Sequence, residues 1–172
     1  MGADEARRHD SFRLLGQDNL RLYRPRESLR IRLHPDDSTF ETFARSLAAH
    51  TTGCRATISC PPDSAERDHA LIADLRRSFG DTLDFVLEED AQLVAAIRGG
   101  EVDYVRYADD ARVARSVRRA AAEVGAYLAV SPVLAAGRIE LLPYLQEQSL
   151  SIDYHRYGNL AGREGERRGR VT

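Results

Sequence analysis

Residues 29–60, LRIRLHPDDSTFETFARSLAAHTTGCRATISC, read as a strand, a helix and a second strand. Leu29–Leu33 and Ala56–Cys60 are short runs of aliphatic and β-branched residues. Between them, Ser38 followed three residues later by Glu41 makes a capping box, in which hydroxyl and carboxylate each satisfy an orphan amide. Phe40, Phe43, Ala44, Leu47 and Ala48 recur at helical spacing and are expected to face the core, and Gly53 ends the helix. Two strands joined through so short a helical crossover lie parallel, with right-handed connectivity.

The pattern repeats downstream. Leu83–Leu87, Val102–Tyr107 and Ala126–Val130 read as further strands. A helix from Ser64 to Gly80 carries Leu71, Ile72, Leu75 and Phe79. A third, capped by Asp90, carries Leu93, Val94 and Ile97. A fourth runs from about Asp109 to Gly125 with Val113, Val117, Ala121 and Val124 inward. The fold class expected is α/β: a truncated Rossmann-like parallel sheet with helices on both faces, plus a C-terminal β-flap. Phe12–Leu15 and Leu20–Tyr23 flank Gly16–Asn19 as an N-terminal hairpin. Past Pro132, Leu150, Ile152, Tyr154 and Arg156 alternate with Ser149, Ser151, Asp153, His155 and Tyr157, a period of two that marks an extended flap. The organisation expected is a disordered tail over 1–11, a Rossmann-like domain with its hairpin over 12–136, a β-flap with a C-terminal motif over 137–160, and a second disordered tail over 161–172.

The chain has 172 residues, 30% of them charged, with a formal net charge of -2, which argues against a strongly basic nucleic-acid binder. No apolar run reaches the ~20 residues of a membrane span, and Met1–Asp10 lacks the apolar centre of a signal peptide. All 25 basic residues are arginine, so a lysine Schiff base and a phosphate loop ending in lysine are both excluded. Cys54 and Cys60 give no disulfide framework and suit a reducing cytoplasm.

The candidate sites are mostly negative. A dinucleotide site on this fold needs glycines after the first strand, where the backbone approaches the pyrophosphate. His34-Pro35-Asp36-Asp37-Ser38 supplies none, and places two carboxylates where phosphates would sit. If Cys54 and Cys60 share a strand they stand roughly 20 Å apart at ~3.3 Å per residue, too far to bridge. The five histidines (9, 34, 50, 69 and 155) form no metal-binding pattern. Arg21, Arg24, Arg26, Arg30 and Arg32, and the helical set Arg112, Arg115, Arg118 and Arg119, read as solvated faces or domain contacts, with an anionic partner as the alternative. No catalytic, cofactor-binding or metal-binding residue is therefore assigned. Residues 137–160, GRIELLPYLQEQSLSIDYHRYGNL, place Tyr144, Tyr154 and Tyr157 with His155 and Arg156 on an extended segment, whose edge is expected to be covered by strand addition to a partner, with an edge strand of the domain's own sheet as the alternative.

That segment closely resembles the end of long proline utilization A proteins, which fuse a flavin proline dehydrogenase to an NAD-dependent L-glutamate γ-semialdehyde dehydrogenase. Upstream, GQDNLRLYRPRESLRIRL resembles the start of their C-terminal domain, and AYLAVSPVLAAGRIELL the stretch entering its flap. The resemblance covers about Phe12 to Leu160. It implies a truncated aldehyde-dehydrogenase-like unit with no catalytic centre and no cofactor of its own, the parent enzyme using FAD and NAD. Such a unit packs on the aldehyde dehydrogenase module as a second subunit would, and its C-terminal motif helps close the tunnel between active sites. Carried over by position, the lid is Ser149 to Leu160, and the interface residues are Tyr144, Leu150, Ile152, Asp153, Tyr154, His155, Arg156, Tyr157, Gly158 and Asn159. A homodimer through the flap is a further expectation, with neither nucleic acid nor membrane insertion. An NAD-dependent semialdehyde dehydrogenase fragment that retains cofactor binding is the enzymatic alternative.

Overall fold

A computed structural model of the chain describes residues 8–10, 14–62, 66–155 and 165. Its strands are β1 (Arg8–Asp10), β2 (Gln17–Pro25), β3 (Leu29–Arg32), β4 (Ala56–Cys60), β5 (Leu83–Leu87), β6 (Tyr104–Arg106), β7 (Tyr127–Ala129) and β8 (Leu145–Asp153). Its α-helices are α1 (Thr39–Thr52), α2 (Glu66–Phe79), α3 (Asp90–Arg98), α4 (Arg115–Val124) and the single turn α5 (Gly137–Glu140). Short 3-10 turns lie at Asp110–Arg112 and Leu142–Tyr144. Pro25–Leu145 form one compact unit; the described residues up to Arg24 and from Gln146 onward form another.

The larger unit is a five-stranded sheet in the order β5-β4-β3-β6-β7. Every pairing is parallel, with Leu29 opposite Ala56, Ala56 opposite Leu83, Arg30 opposite Val105 and Tyr104 opposite Tyr127. The chain moves outward from β3 in one direction and, after crossing to β6, in the other, as in doubly wound sheets. Side chains alternate across the sheet because successive Cβ atoms point to opposite faces. Leu29, Ile31, Ala56, Ile58 and Leu83 pack with Ala48 and Ala49 of α1 and Ile72 and Leu75 of α2. Val105 and Tyr107 pack on the opposite face with Leu93 and Ile97 of α3 and Val117 and Ala120 of α4. The expected Rossmann-like sheet with helices on both faces is therefore present.

In the smaller unit, β1 and β2 pair antiparallel, with His9 opposite Arg21, and β8 lies on the other side of β2. Gln17 donates to Asp153 (2.7 Å), Ser151 to Asn19 (2.9 Å), and Arg21 meets Glu147 (3.0 Å). The partners step in opposite directions, so β8 runs antiparallel to β2. The hairpin grouped with the parallel layer in the sequence reading is thus part of the flap's own sheet. Its strands also lie further apart than expected, β1 falling within the stretch read as a tail and Gln17–Asn19 belonging to β2.

Three other expectations need correction. Phe40, Phe43 and Leu47 do not face the core: they are 53%, 44% and 40% exposed, while Thr42, Arg45, Ser46, Ala48, Ala49 and Thr52 are buried. Small side chains let the helix axis approach the sheet closely. Their hydroxyls need no outside partner, because Ser46 donates to the Thr42 carbonyl and Thr52 to that of Ala48. The helix expected from Asp109 breaks after the 3-10 turn; Val113 is extended, α4 begins at Arg115, and Val124 is exposed. The third helix is capped by Glu89, with Asp90 as its first residue. Of the second, Ser64 lies outside the described residues.

Two arginines in this unit are fully buried. Arg106 on β6 donates to the carbonyls of Tyr107 and Ser131 and to Glu140 Oε1 (3.0 Å). Glu140 Oε2 accepts the Leu134 amide (2.9 Å), and the Tyr144 hydroxyl donates to Oε1 (3.3 Å). This network fastens the stretch after β7 to the end of the sheet. Removing one member of a buried ion pair strands the other, so Glu140→Ala should cost about 3–5 kcal/mol in urea unfolding at neutral pH. Ile152→Ser, on the exposed face of β8, should change stability by no more than about 0.5 kcal/mol.

Candidate functional site

Where β3 and β6 lie side by side, the crossovers diverge and leave a crevice at the carboxyl ends of the strands, the usual ligand position in such sheets. Here it has a volume of about 380 Å3 and is walled by Arg32, His34, Pro61, Asp90, Tyr107 and Arg112, among others. The loop after β3 is what decides whether a pyrophosphate could lie in it. Asp37, almost fully buried, turns back so that Oδ2 accepts the His34 amide (2.9 Å). The same oxygen takes Nη2 of the buried Arg45, while Oδ1 takes Nη1 of Arg112 (2.6 Å). Arg45 also donates to the carbonyls of Glu41 and Arg32 (3.0 Å each), tying α1 to the end of β3. A buried side-chain carboxylate thus organises the loop after β3, through one backbone amide and two guanidinium groups. Asp36, by contrast, is exposed. The two adjacent acids expected to share one role have different ones.

Arg112, read from sequence as part of a solvated face or domain contact, bridges Asp37 and Glu41 (3.1 Å) across two crossovers. Burial pushes the Glu41 carboxyl up, but the Ser38 amide and hydroxyl and the Arg112 guanidinium together hold it below its ordinary value. Arg30 and Arg32 are likewise internal: Arg30 faces Glu88 (3.4 Å), and Arg32 holds Ser59, the Glu88 carbonyl and Asp90. Both cysteines are buried and neither forms a disulfide, and burial pushes the Cys54 thiol up to about 11, which disfavours a nucleophilic thiolate. No cluster of potential metal ligands occurs among the described residues.

A second concavity, of about 410 Å3, lies between the exposed face of α1 and residues 134–141. Phe40, Phe43, Ala44 and Leu47 form one wall; Leu134, Ala135 and Leu141 form the other. Ile139 and Leu142, next in sequence to lining residues, are also exposed. Sequence periodicity identified this stripe but assigned it to the interior.

The residues picked from the C-terminal motif scatter. Tyr144 lies in the core of the larger unit, fully buried, because its 3-10 turn directs the ring toward Glu140 and the sheet. Leu150 and Ile152 are exposed on β8, the outer strand of its sheet. Asp153 and Tyr154 bind the start of β2: the Gly16 amide donates to the Tyr154 hydroxyl (3.1 Å), and the Tyr154 amide to the Gly16 carbonyl (3.0 Å). Gly16 has φ +87°, and a Cβ there would stand 3.0 Å from that of His155, so both backbone angle and close approach require glycine. Arg156, Tyr157, Gly158 and Asn159 lie outside the described residues.

No protein-family model matches the sequence, and no curated protein does. Among solved structures, proline utilization A from Corynebacterium freiburgense is similar over 88% of this chain and 12% of its own, at 26% identity and a TM-score of 0.53. A betaine aldehyde dehydrogenase from Staphylococcus aureus, in complex with NAD+, matches 72% of this chain and 25% of its own, at 13% identity and a TM-score of 0.56. Histidinol dehydrogenase from Elizabethkingia anophelis matches 72% and 30%, at 18% identity and a TM-score of 0.55. The chain thus spans under a third of each, and its fold is of the aldehyde-dehydrogenase type. No helix among the described residues is long and apolar enough to cross a membrane.

A carboxylate whose folded-state pKa is depressed stabilises the fold above its unfolded value, and this contribution is lost as pH falls through the folded value. Glu41→Gln should therefore lower stability at neutral pH, with the deficit shrinking below the carboxylate range in unfolding curves measured across pH.

Proposed function

We propose that the chain is a non-catalytic accessory domain of a bifunctional proline-catabolic enzyme converting proline to glutamate. It packs on the aldehyde dehydrogenase module and helps seal the tunnel that carries the intermediate between active sites. The observation that carries this reading is the apolar face of α1 and the 134–141 wall opposite it, side chains that a self-sufficient domain would turn inward. A module seated there would cover Phe40, Phe43 and Leu47. The likeness to proline utilization A, over most of this chain and a small part of that one, supports the choice of parent. The outer edge of β8, with Leu150 and Ile152, offers a second surface for strand pairing, either to the parent or to a second copy. The segment Ser149–Leu160 is assigned the lid role, and the location assigned is the cytoplasm.

The parent supplies FAD and NAD, and this chain needs neither. With no glycine and two carboxylates in the loop after β3, calorimetric titration with millimolar NAD+ should give no saturable heat. A saturable isotherm would favour the dehydrogenase-fragment reading instead.

The accessory role is tested by removing the matching segment from the Corynebacterium freiburgense enzyme and supplying this chain in trans. Each half-reaction should proceed with its own substrate, while coupled conversion of proline to glutamate shows a lag that the chain abolishes. The chain lacking Ser149–Leu160, or carrying Phe43→Glu with Leu47→Glu, should leave the lag in place. A lag unchanged by saturating intact chain sinks the proposal.

A further inference from the structure

Among the described residues, β8 has the longest open strand edge. We propose that two copies of this chain pair there, β8 against β8 and antiparallel, about a two-fold axis at Ser151. Two three-stranded sheets then join into one of six strands. The inference commits that edge to a second copy and does not depend on the accessory role, since none of its residues belongs to the groove beside α1.

One bond fixes the direction of the peptide groups. The Tyr154 amide donates to the carbonyl of Gly16, just before β2 (3.0 Å). Peptide groups alternate sides along an antiparallel strand. Those of Leu150 and Ile152 therefore also turn toward β2, and those of Glu147, Ser149, Ser151 and Asp153 turn outward. Side chains alternate between the two faces with the same period. Gln17, Asn19 and Arg21 meet Asp153, Ser151 and Glu147, which puts Leu150 and Ile152 on the other face with the half-buried Leu20 and Leu22. The edge strand at the far side, β1, has three residues, whereas β8 has nine. It contains neither proline nor a basic residue, the usual devices that blunt an edge. Its two charges, Glu147 and Asp153, are held within their own sheet by Arg21 and Gln17.

The occupant follows from the sequence of the strand, which is nearly complementary to its own reverse, as an isologous pairing requires. An outward peptide group must meet another, so odd positions pair with odd and even with even. Centred on Ser151, Leu150 stands opposite Ile152 of the second copy, and the two-fold axis makes this pair twice. Ser149 then faces Asp153, Gln148 faces Tyr154, and Glu147 faces His155. Leu150 and Ile152 fall at non-hydrogen-bonded positions, where facing side chains lie closest. They are 47% and 43% exposed, and the pairing covers them. A pairing centred on Leu150 would set Glu147 against Asp153, like charges directly opposite. One centred on Ser149 would set Leu150 and Ile152 against glutamines and form no apolar pair.

The test uses the whole chain. Sedimentation from micromolar to millimolar concentration should show a monomer–dimer equilibrium. Ser151→Pro removes an amide that faces the open edge and no bond within the sheet, so it should raise the dissociation constant about tenfold or more with unchanged far-ultraviolet dichroism. Ile152→Ser, near neutral for the monomer, should weaken the dimer as well. The register is read from disulfide formation under a mild oxidant. Ser151→Cys should link two copies, because Cα atoms directly opposite each other lie about 5.5 Å apart, within disulfide reach. Ser149→Cys and Leu150→Cys should link far more slowly, and the unsubstituted chain, with both cysteines buried, should not link. Should the proline variant lose structure, the cysteine series still decides. The proposal is overturned if the chain stays monomeric at millimolar concentration, if a folded Ser151→Pro dimerises as tightly, or if Ser149→Cys or Leu150→Cys links as fast as Ser151→Cys.

Discussion

The larger unit is organised around Asp37. Its carboxylate accepts from the loop it belongs to, from Arg45 on the helix that follows, and from Arg112 on a crossover seventy-five residues later. Those bonds fix how β3 hands over to α1 and how the segment after β6 folds back across the sheet. The charge that ties these segments together is covalently part of the chain, and its partners are one amide and two guanidinium groups.

An all-arginine chain suits this construction. A guanidinium presents several N–H donors in one plane and stays charged when buried, whereas a buried lysine readily gives up its proton. Arg45 and Arg106 each reach several acceptors while fully enclosed, and Arg32 serves three at once. Three of the arginines in this unit, Arg32, Arg45 and Arg106, are buried, whereas the sequence reading placed its two arginine sets on solvated faces or in domain contacts. Burying ions in this way adds little net stability over apolar packing, since desolvation offsets most of the attraction. Its effect is directional: α1 and the 134–141 segment are each held in one position.

The parallel sheet was legible because its signals are local. Ala56–Cys60 and Leu83–Leu87 are strands to the residue, and the Ser38–Glu41 box caps α1 with both reciprocal bonds formed. What failed was the choice between two stripes on α1. Thr42, Arg45, Ser46, Ala49 and Thr52 have the same helical spacing as Phe40, Phe43, Ala44 and Leu47, and hydrophobicity alone prefers the wrong one. The alternative required seeing that Ser and Thr can satisfy themselves on their own helix, and that Arg45 would meet a buried acid. Asp37 does not announce Arg112 as a partner in the sequence, because that residue lies 75 positions along the chain. Tyr144 was misplaced for a related reason: the alternation that begins beyond it was extended backward through Pro143, across a turn.

The three-stranded sheet has a consequence for the order of folding. Gln17 and Asp153 meet across 136 residues, and Asn19 and Ser151 across 132. A chain made from its N-terminus therefore produces β1 and β2 long before β8 exists. Through that interval the two strands are an isolated hairpin, an arrangement with marginal stability in water. The larger unit, whose neighbouring strands follow one another closely, can form first, with loop closures that are short and entropically cheap. Slow, late ordering of the amides around Gly16, Tyr154 and Ser151 is built into the connectivity, whatever the stability of the finished sheet.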